Sequence, residues 1–343
     1  MTCHHQFPPT ERTTSDPATS RADRIRGAIW GQFVGDAACL GSHWIYDLAE
    51  MARRFPEGVV GFEEPSTGHY HAGKVSGDQT HYGDAALLLL RSVAERSGFD
   101  AVDFGQRFVA MMESHDYTGY RDHATRDTLA KYRAFREAHP GEDFDFQQGA
   151  DDDQPATATR LVPVVAAHFR DGLLTGMVTT TTRVCQDNDR AVAYMQCHAL
   201  ILRGLFNGRE LPVAIAAAAE RCMSSGGFGE EVGMKVREAL AVSSLPVMEA
   251  TLRFGQSCPL AGSFPSAIQA ALAHHDDFAM AIKETARAGG DNAGRAALVG
   301  AWLGAALGIE GIPEVWRDRL TARDAIARDV DTIISRVVRQ RDT

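Results

Sequence analysis

The chain has 343 residues, 44% of them apolar, which is enough to bury the core of one large domain or of two average ones. Its 45 acidic residues outnumber its 35 basic residues, and the net charge of -10 argues against nucleic acid or an anionic membrane as a main partner. The six cysteines are scattered and form no Cys-x-x-Cys pair, which favours reduced, buried thiols over disulfides or a cysteine-based zinc site.

The N-terminal region, residues 1–20, is rich in Pro, Thr, Ser and His and has no apolar stretch. This composition predicts a disordered tail rather than a secretory signal. Residues 296–309 form the longest apolar run, which is too short to span a bilayer, so we expect a cytoplasmic protein. Residues 21–338 contain no linker and no internal repeat, which predicts one domain.

Helical periodicity dominates the chain. In residues 24–38, Ile25, Ala28, Ile29 and Phe33 fall along one stripe, as an amphipathic helix requires. The same spacing predicts helices over residues 84–94, 103–114, 125–138, 189–205, 212–224, 230–243, 264–273, 278–288 and 322–338. Residues 245–255 are ambiguous, and no period-2 run of strand length occurs. The predicted fold class is all-α, a compact multi-helix bundle.

A glycine-rich apolar segment precedes the last predicted helix. Gly300, Gly304 and Gly308 are spaced by four residues and would lie on one helical face. Because a glycine inside a helix costs about 1 kcal/mol relative to alanine, close approach of a second helix is the simplest compensating reason. This spacing predicts a buried central helix in preference to a membrane dimer motif.

Four segments combine Gly or Thr with polar residues at helix boundaries. They are residues 35–37, 76–80, 182–189 and 289–295. Taken singly, each acidic, Thr or Asn side chain is explained as a helix cap. Taken together, converging helix N-termini would form a site for an anionic ligand, including a phosphate-bearing small molecule, or for metal-held water.

These segments resemble, in order, the motifs of the ADP-ribosylglycohydrolase family. The family's Gly-Asp-Ala matches residues 35–37, its Thr-Asp-Asp-Thr matches residues 77–80, and its Gly-Gly-Asp-x-Asp-Thr matches residues 289–294. Its Ile-Pro-x-x-Trp ending matches residues 312–316, so the resemblance runs from about residue 24 to residue 320. The resemblance implies an all-helical fold and a hydrolase that cleaves an N- or O-glycosidic bond of an ADP-ribosylated or ribosylated substrate.

Within the family, the chain resembles in particular the J-type lens crystallins and their bacterial relatives. The shared segments are Gly-Asp-Gln-Thr at 77–80, Tyr-Gly-Asp at 82–84, Gln-x-Asn-Asp at 186–189, Gly-Ser-Phe at 262–264 and Gly-Gly-x-Asn at 289–292. Because crystallins serve a structural role, this branch implies an alternative: a non-catalytic ligand-binding or structural protein on the same scaffold.

The family's metal ligands are only partly retained. Catalytic members hold two magnesium ions with Asp, Thr and Glu side chains, and this chain keeps one acid in each segment, Asp78 and Asp291. Gln79 replaces the second acid of the first segment, and Ala293 and Gly294 replace the acid and threonine of the last. Magnesium needs several oxygen ligands, so we predict a degenerate site in which the two acids hold one ion weakly or act without metal.

The candidate site follows from these segments. We predict that Asp78 and Asp291 face each other across a cleft as catalytic residues. The predicted substrate-binding residues are Asp36, Gln79, Thr80, His81, Tyr82, Gln186, Asn292 and Arg295. Arg295 is expected to pair with an acid in place of a lost ion, to grip a substrate anion, or to form a structural ion pair.

Aromatic and histidine side chains flank the same segments. His43, Trp44 and Tyr46 either line the cleft or pack in the core. The loop cluster at residues 69–74, with two histidines, a tyrosine and a lysine, forms either a lid or a solvated loop. Cys258 has no base that the sequence places beside it, which favours a buried thiol over a nucleophile.

Overall fold

The computed structural model describes residues 19–339, so the predicted tail lies outside the described residues except for its last two. Sixteen α-helices and no β-strand occur in this part of the chain, which confirms the all-α prediction. The helices are α1 (Arg21–Ala38), α2 (Leu48–Arg54), α3 (His81–Arg96), α4 (Ala101–Glu113), α5 (His123–Ala138), α6 (Val162–His168), α7 (Leu174–Arg183), α8 (Asp189–Phe206), α9 (Leu211–Met223), α10 (Phe228–Ala241), α11 (Val247–Phe254), α12 (Leu260–Ala273), α13 (Phe278–Arg287), α14 (Asn292–Leu307), α15 (Glu314–Asp318) and α16 (Arg323–Arg339).

Four of these helices have no counterpart in the sequence predictions: α2, α6, α7 and α15. Three are short, with five to seven residues. Helix α7 ends in a run of threonines, which disfavours a helix on propensity alone. In the structure, Thr181 and Thr182 donate their hydroxyls to the carbonyls of Met177 and Val178, four residues back, at 2.7 Å. The threonines are thereby accommodated inside the helix.

Helices α1 and α14 form the centre of the fold, and their backbones touch. A Cβ built on Gly31 of α1 would lie 2.0 Å from the carbonyl oxygen of Gly300, and one on Gly304 would lie 2.0 Å from that of Gly27. The predicted close-packed glycine face is therefore confirmed at Gly300 and Gly304. Gly308 instead caps the end of α14 with a positive φ of 77°.

The packing of this pair determines where the polar segments meet. The end of α1 lies beside the start of α14, because a Cβ on Gly35 would come 2.1 Å from the carbonyl oxygen of Ala296. Around the pair the remaining helices bury a large continuous apolar core, and a small separate cluster includes Tyr82. In the described part of the chain, none of the helices has the length and apolar character needed to cross a lipid bilayer.

Candidate functional site

Four helices begin around one region, which we call the polar centre. Its N-cap residues are Thr80 for α3, Asp122 for α5, Asn188 for α8 and Asp291 for α14, and each accepts a backbone N–H of its own helix. The phenol of Tyr82 in α3 donates to Asp291 at 3.4 Å. The structure therefore brings the starts of α3 and α14 together, in agreement with the prediction that these helix N-termini converge.

Asp291 is the most enclosed acid of the polar centre. Its side chain is fully buried, and its two oxygens accept hydrogen bonds from Gly294 N (3.3 Å) and from the Tyr82 hydroxyl. The imidazole Nδ1 of His43 lies 3.8 Å away. Burial raises the pKa of Asp291 above its ordinary value, although the charge of Arg295 opposes the rise.

Asn292 locks the loop that follows α1 onto the start of α14. Its amide nitrogen donates to the carbonyl of Ser42 (3.2 Å), the hydroxyl of Ser42 (3.0 Å) and the carbonyl of Ala286 (3.0 Å). Its amide oxygen lies 3.3 Å from Nδ1 of His43. The amide is thus fully engaged inside the protein, and a contact between Asn292 and substrate stays a prediction.

The same loop carries a strained aromatic residue. Trp44 has φ 60°, in the left-handed region that a bulky residue rarely adopts. Two backbone hydrogen bonds hold it there, from Trp44 N to Gly290 O and from Gly290 N to Ile45 O, both 2.8 Å. Strain that the surrounding structure enforces is typical of functional sites, and here it fixes the indole beside the polar centre.

Arg295 ties two backbone segments together. Its side chain is buried, and its guanidinium donates to the carbonyl of Gln256 at 3.1 Å and to the carbonyl of Gly289. Its charge opposes the rise in the pKa of Asp291, but its guanidinium hydrogen bonds go to the backbone. Of the three predicted roles, these contacts correspond most closely to the structural one, with backbone carbonyls as partners instead of an acid.

Asp36, Gln79 and Thr80 form a buried group behind the start of α3. Asp36 accepts from the backbone N–H of Thr80 at 2.7 Å and from its hydroxyl at 2.5 Å. With its amide nitrogen turned toward Asp36, Gln79 donates to the same carboxylate at 3.0 Å. These three side chains bond to one another, so Asp36 positions the α3 N-terminus, and their contact with substrate stays a prediction.

The Asp36 carboxyl makes the stability of the protein depend on pH. Burial raises the pKa of Asp36 from 3.8 to about 6, against the hydrogen bonds from Thr80. As pH rises from about 4 to about 6, the unfolded chain loses a proton that the folded protein retains, so Asp36 progressively disfavours folding by about 3 kcal/mol. We expect the wild type to lose that much stability relative to Asp36→Asn over this range in urea unfolding. A difference that does not change with pH would contradict the assignment.

Asp78 bonds within its own turn and to the segment just before α16. Its carboxylate accepts from Val75 N at 2.9 Å and from the hydroxyl of Thr321 at 2.7 Å, just before α16. It lines an open surface groove together with Lys74. These contacts turn the Asp78 carboxylate toward Thr321, so they do not support the predicted arrangement in which Asp78 and Asp291 face each other. The catalytic role of each acid stays a prediction.

The acidic loop at residues 151–157 is held by Gln186, and the sequence did not predict it as part of the site. Gln186 donates to the Asp152 side chain (3.0 Å) and to the carbonyl of Gln154 (2.7 Å), and its oxygen accepts from Thr157 N (2.8 Å). Gln186 thus shapes the loop at residues 151–157, and its contact with substrate stays a prediction. The acidic run was visible in the sequence, but nothing there connected it to Gln186.

Asp122 was also missed. It accepts from Thr125 N at 2.8 Å as the N-cap of α5, and one of its oxygens lies 3.6 Å from Nε2 of His81. Burial alone would raise the pKa of Asp122, but the nearby imidazole of His81 and the hydrogen bonds from Thr125 outweigh it and hold the pKa below its ordinary value. An aspartate just before a helical pattern is the signal that would have identified this cap.

Two further groups close the site. The histidine triad consists of His43, His71 and His81, all buried, and each offers a nitrogen within 4.8 Å of the others. Over it lies an aromatic layer of Trp44, Tyr70 and Tyr120 in edge-to-face contact, with centroid distances of 4.9 to 5.6 Å. Within the loop cluster at residues 69–74, His71 therefore belongs to the buried triad and Tyr70 to the covering layer, whereas Lys74 pairs with Asp84 at 2.9 Å.

The donors around Asp291 suit magnesium poorly. Magnesium binds oxygen ligands in near-octahedral geometry, whereas the groups nearest Asp291 are an imidazole (His43), a phenol (Tyr82) and the thiol of Cys258. The oxygens of Asp78 already accept two protein hydrogen bonds. Magnesium binding by Asp78 and Asp291 therefore stays a prediction, and the groups that surround these two acids do not favour it.

Comparisons with known proteins bear on this fold and site. The chain matches the family model described as ADP-ribosylglycohydrolase over residues 17–343. Crystallin J1A of Tripedalia cystophora is 27% identical over 317 residues, covering 89% of this chain and 94% of that protein. Crystallin J1B of the same organism is 26% identical over 327 residues, covering 92% of this chain and 97% of that protein.

A solved structure described as an ADP-ribosylglycohydrolase-related protein complex is similar with a TM-score of 0.66. At 21% identity, and with coverage of 92% of this chain and 98% of that one, it shows a shared fold. Together with the family match, this similarity confirms the resemblance inferred from the motifs. The chain belongs to the ADP-ribosylglycohydrolase family.

Proposed function

We propose that the protein is a hydrolase that cleaves an N- or O-glycosidic bond of an ADP-ribosylated or ribosylated substrate at the polar centre. The observation that carries the proposal is the environment of Asp291, a buried carboxyl with a raised pKa at the N-terminus of a central helix. Hydrolysis of a glycosidic bond needs an acid that retains its proton long enough to donate it to the leaving group.

A second carboxyl, that of Asp122 beside His81, has the opposite environment. The pKa of Asp122 is held low, whereas that of Asp291 is raised. Burial, followed by the charges of Asp291, Cys258 and Asp122, raises the pKa of the Tyr82 phenol, whose hydroxyl donates to Asp291 at 3.4 Å. Two carboxyls whose environments separate their pKa values are suited to acid and base roles, so Asp291 is the proposed acid and Asp122 the proposed base.

The surroundings offer binding groups for the rest of such a substrate. The converging N-termini of α3, α5, α8 and α14 present helix dipoles that favour phosphate. Trp44 and Tyr46, the latter 44% exposed, provide aromatic faces at the edge on which a base could stack. These features support a nucleotide-bearing substrate in preference to an uncharged sugar.

The direct test is turnover. Purified protein is incubated with ADP-ribosyl-arginine, ADP-ribosyl-serine and simple ribosides, with a metal chelator and with added magnesium, and the released ribosyl product is quantified. We expect release from at least one ADP-ribosylated substrate. If all of them remain intact in both conditions, the proposed hydrolase function is wrong.

Asp78 provides a test of where the site lies. We expect Asp78→Ala to lower the free energy of unfolding by about 1–2 kcal/mol, because two hydrogen bonds to Val75 and Thr321 are lost. Turnover should stay near that of the wild type. Thr321→Val is the matched control, since it removes one of these bonds from the other side. A large loss of turnover in Asp78→Ala with intact stability would place Asp78 in the catalytic machinery.

A non-catalytic ligand-binding or structural protein is the second candidate. The observation in its favour is that Asn292, Gln186 and Arg295 direct their polar groups to the protein itself. The two relatives named as crystallins agree with this reading. Calorimetry with ADP-ribose separates the candidates: binding without turnover of any substrate favours a ligand-binding protein, and the absence of both favours a structural one.

A further inference from the structure

Three histidines from three separate segments meet beside the polar centre. His43 lies in the loop after α1, His71 lies in the loop before α3, and His81 is the first residue of α3. Their ring centroids are 5.5 to 6.1 Å apart. One nitrogen from each ring lies within 4.8 Å of the other two, compared with about 3.4 Å between imidazole nitrogens on a tetrahedral zinc ion. Small side-chain rotations would close the difference.

The nitrogens of this triad are buried and lack partners. The three side chains are 0 to 3% exposed. Nε2 of His43 and both ring nitrogens of His71 and His81 make no hydrogen bond. Buried polar atoms in proteins are normally hydrogen-bonded. Each of the three rings therefore has at least one buried nitrogen without a hydrogen bond, which points to a ligand that all three rings bind.

The orientation of His43 suits metal binding. Asn292 presents its amide oxygen to Nδ1 of His43 at 3.3 Å, and this orientation is fixed because the amide nitrogen donates to three oxygens. A proton on Nδ1 satisfies that oxygen and leaves a lone pair on Nε2. The more distant N–H of Ala293, at 3.4 Å from Nδ1, competes with this bond. Metal-bound histidines usually donate their second N–H to a carbonyl or carboxylate in this way.

His81 has the corresponding carboxylate. Asp122 lies 3.6 Å from Nε2 of His81 and is itself held by Thr125 N at 2.8 Å. A carboxylate beside a metal-bound imidazole fixes the ring and increases its basicity. The Asp122 carboxylate also supplies negative charge near the triad, which favours a bound cation over an anionic ligand.

We propose that His43, His71 and His81 bind one divalent transition metal ion of the zinc class. Imidazole nitrogens select zinc, copper or nickel over magnesium, and three protein ligands leave a fourth position for water or another ligand. The aromatic layer of Trp44, Tyr70 and Tyr120 covers the site, with Tyr70 60% exposed at the outside. This proposal does not depend on the hydrolase function, because it concerns binding alone.

The test uses the full chain without an affinity tag, after removal of metal with a chelator. Zinc is titrated by calorimetry, and cobalt is added in parallel as a spectroscopic probe. We expect one equivalent of zinc to bind, an increase in Tm with zinc but not with magnesium, and the strong visible absorption of four-coordinate cobalt. The variant His71→Gln should weaken zinc binding by at least about 100-fold, since it removes one ligand.

His71 is the best position to change because its side chain forms no hydrogen bond whose loss would disturb folding. The chain also contains Cys3, His4 and His5, which could hold zinc independently. The matched control is therefore the double variant His4→Gln and His5→Gln, which should keep full binding. The proposal is overturned if the wild type binds no zinc, if His71→Gln binds as tightly as the wild type, or if the control loses binding. If His71→Gln does not fold, weak absorption of wild-type cobalt, typical of six-coordination, overturns it instead.

Discussion

Replacing Gly31 by alanine is expected to destabilise the protein by about 3 kcal/mol or more. Alanine is the better helix former by about 1 kcal/mol, so propensity alone predicts the opposite sign. Packing decides the result, because the new Cβ would lie 2.0 Å from the carbonyl oxygen of Gly300 and the two central helices would have to separate. Urea unfolding of both proteins gives the difference in the free energy of unfolding.

Gly176 offers a matched control for Gly31→Ala. It lies inside α7, and a Cβ there would meet nothing within 4 Å. We expect Gly176→Ala to be neutral or to stabilise by up to about 1 kcal/mol. If Gly31→Ala were as stable as the wild type, the backbone contact between α1 and α14 would not exist as described.

Asp291→Asn is expected to reduce turnover by about 100-fold or more, because asparagine cannot donate a carboxyl proton. Stability should change by less than about 1 kcal/mol, since asparagine caps a helix as well as aspartate does. The change also removes the cost of ionising a buried carboxyl, which works in favour of the variant. The measurements are kcat/KM on an ADP-ribosylated substrate and urea unfolding.

The control for this variant is Asp277→Asn. Asp277 caps α13 by accepting from Met280 N at 2.9 Å, and it is exposed and outside the polar centre. The Asp277→Asn variant makes the same exchange at a helix cap that has no role in the proposed chemistry. Its turnover should therefore equal that of the wild type. If Asp291→Asn retained turnover, Asp291 would not take part in the reaction. If the variant did not fold, the role of Asp291 would be that of a structural helix cap.

The sequence predicted the elements that bring the site together, because helix periodicity and helix caps are local signals. Thr80, Asn188 and Asp291 all lie in segments that were recognised as helix starts, and they converge in the structure. The glycine spacing likewise predicted the central helix, since only a close neighbour explains Gly300 and Gly304 inside it. Short helices such as α2 were missed because seven residues carry little periodicity.

Side-chain direction within a turn was not predictable. Asp78 and His81 are three residues apart, yet Asp78 bonds to Thr321 while His81 reaches Asp122 and the histidine triad. The positive φ of Gly77, 95°, turns the chain just before Asp78, and no local pattern specifies the outcome. The histidine triad combines residues from three separate segments of the chain, and no sequence motif contains all three of them.

The measurement that tests the location of the site most directly is a crystal structure of the protein soaked with ADP-ribose. We expect density at the polar centre, with a ribose within hydrogen-bond distance of Asp291 or Tyr82 and the phosphates at the surrounding helix N-termini. Density in the groove beside Asp78 and Lys74 would contradict this location. So would crystals that bind no ADP-ribose at millimolar concentration while calorimetry in solution also shows no binding.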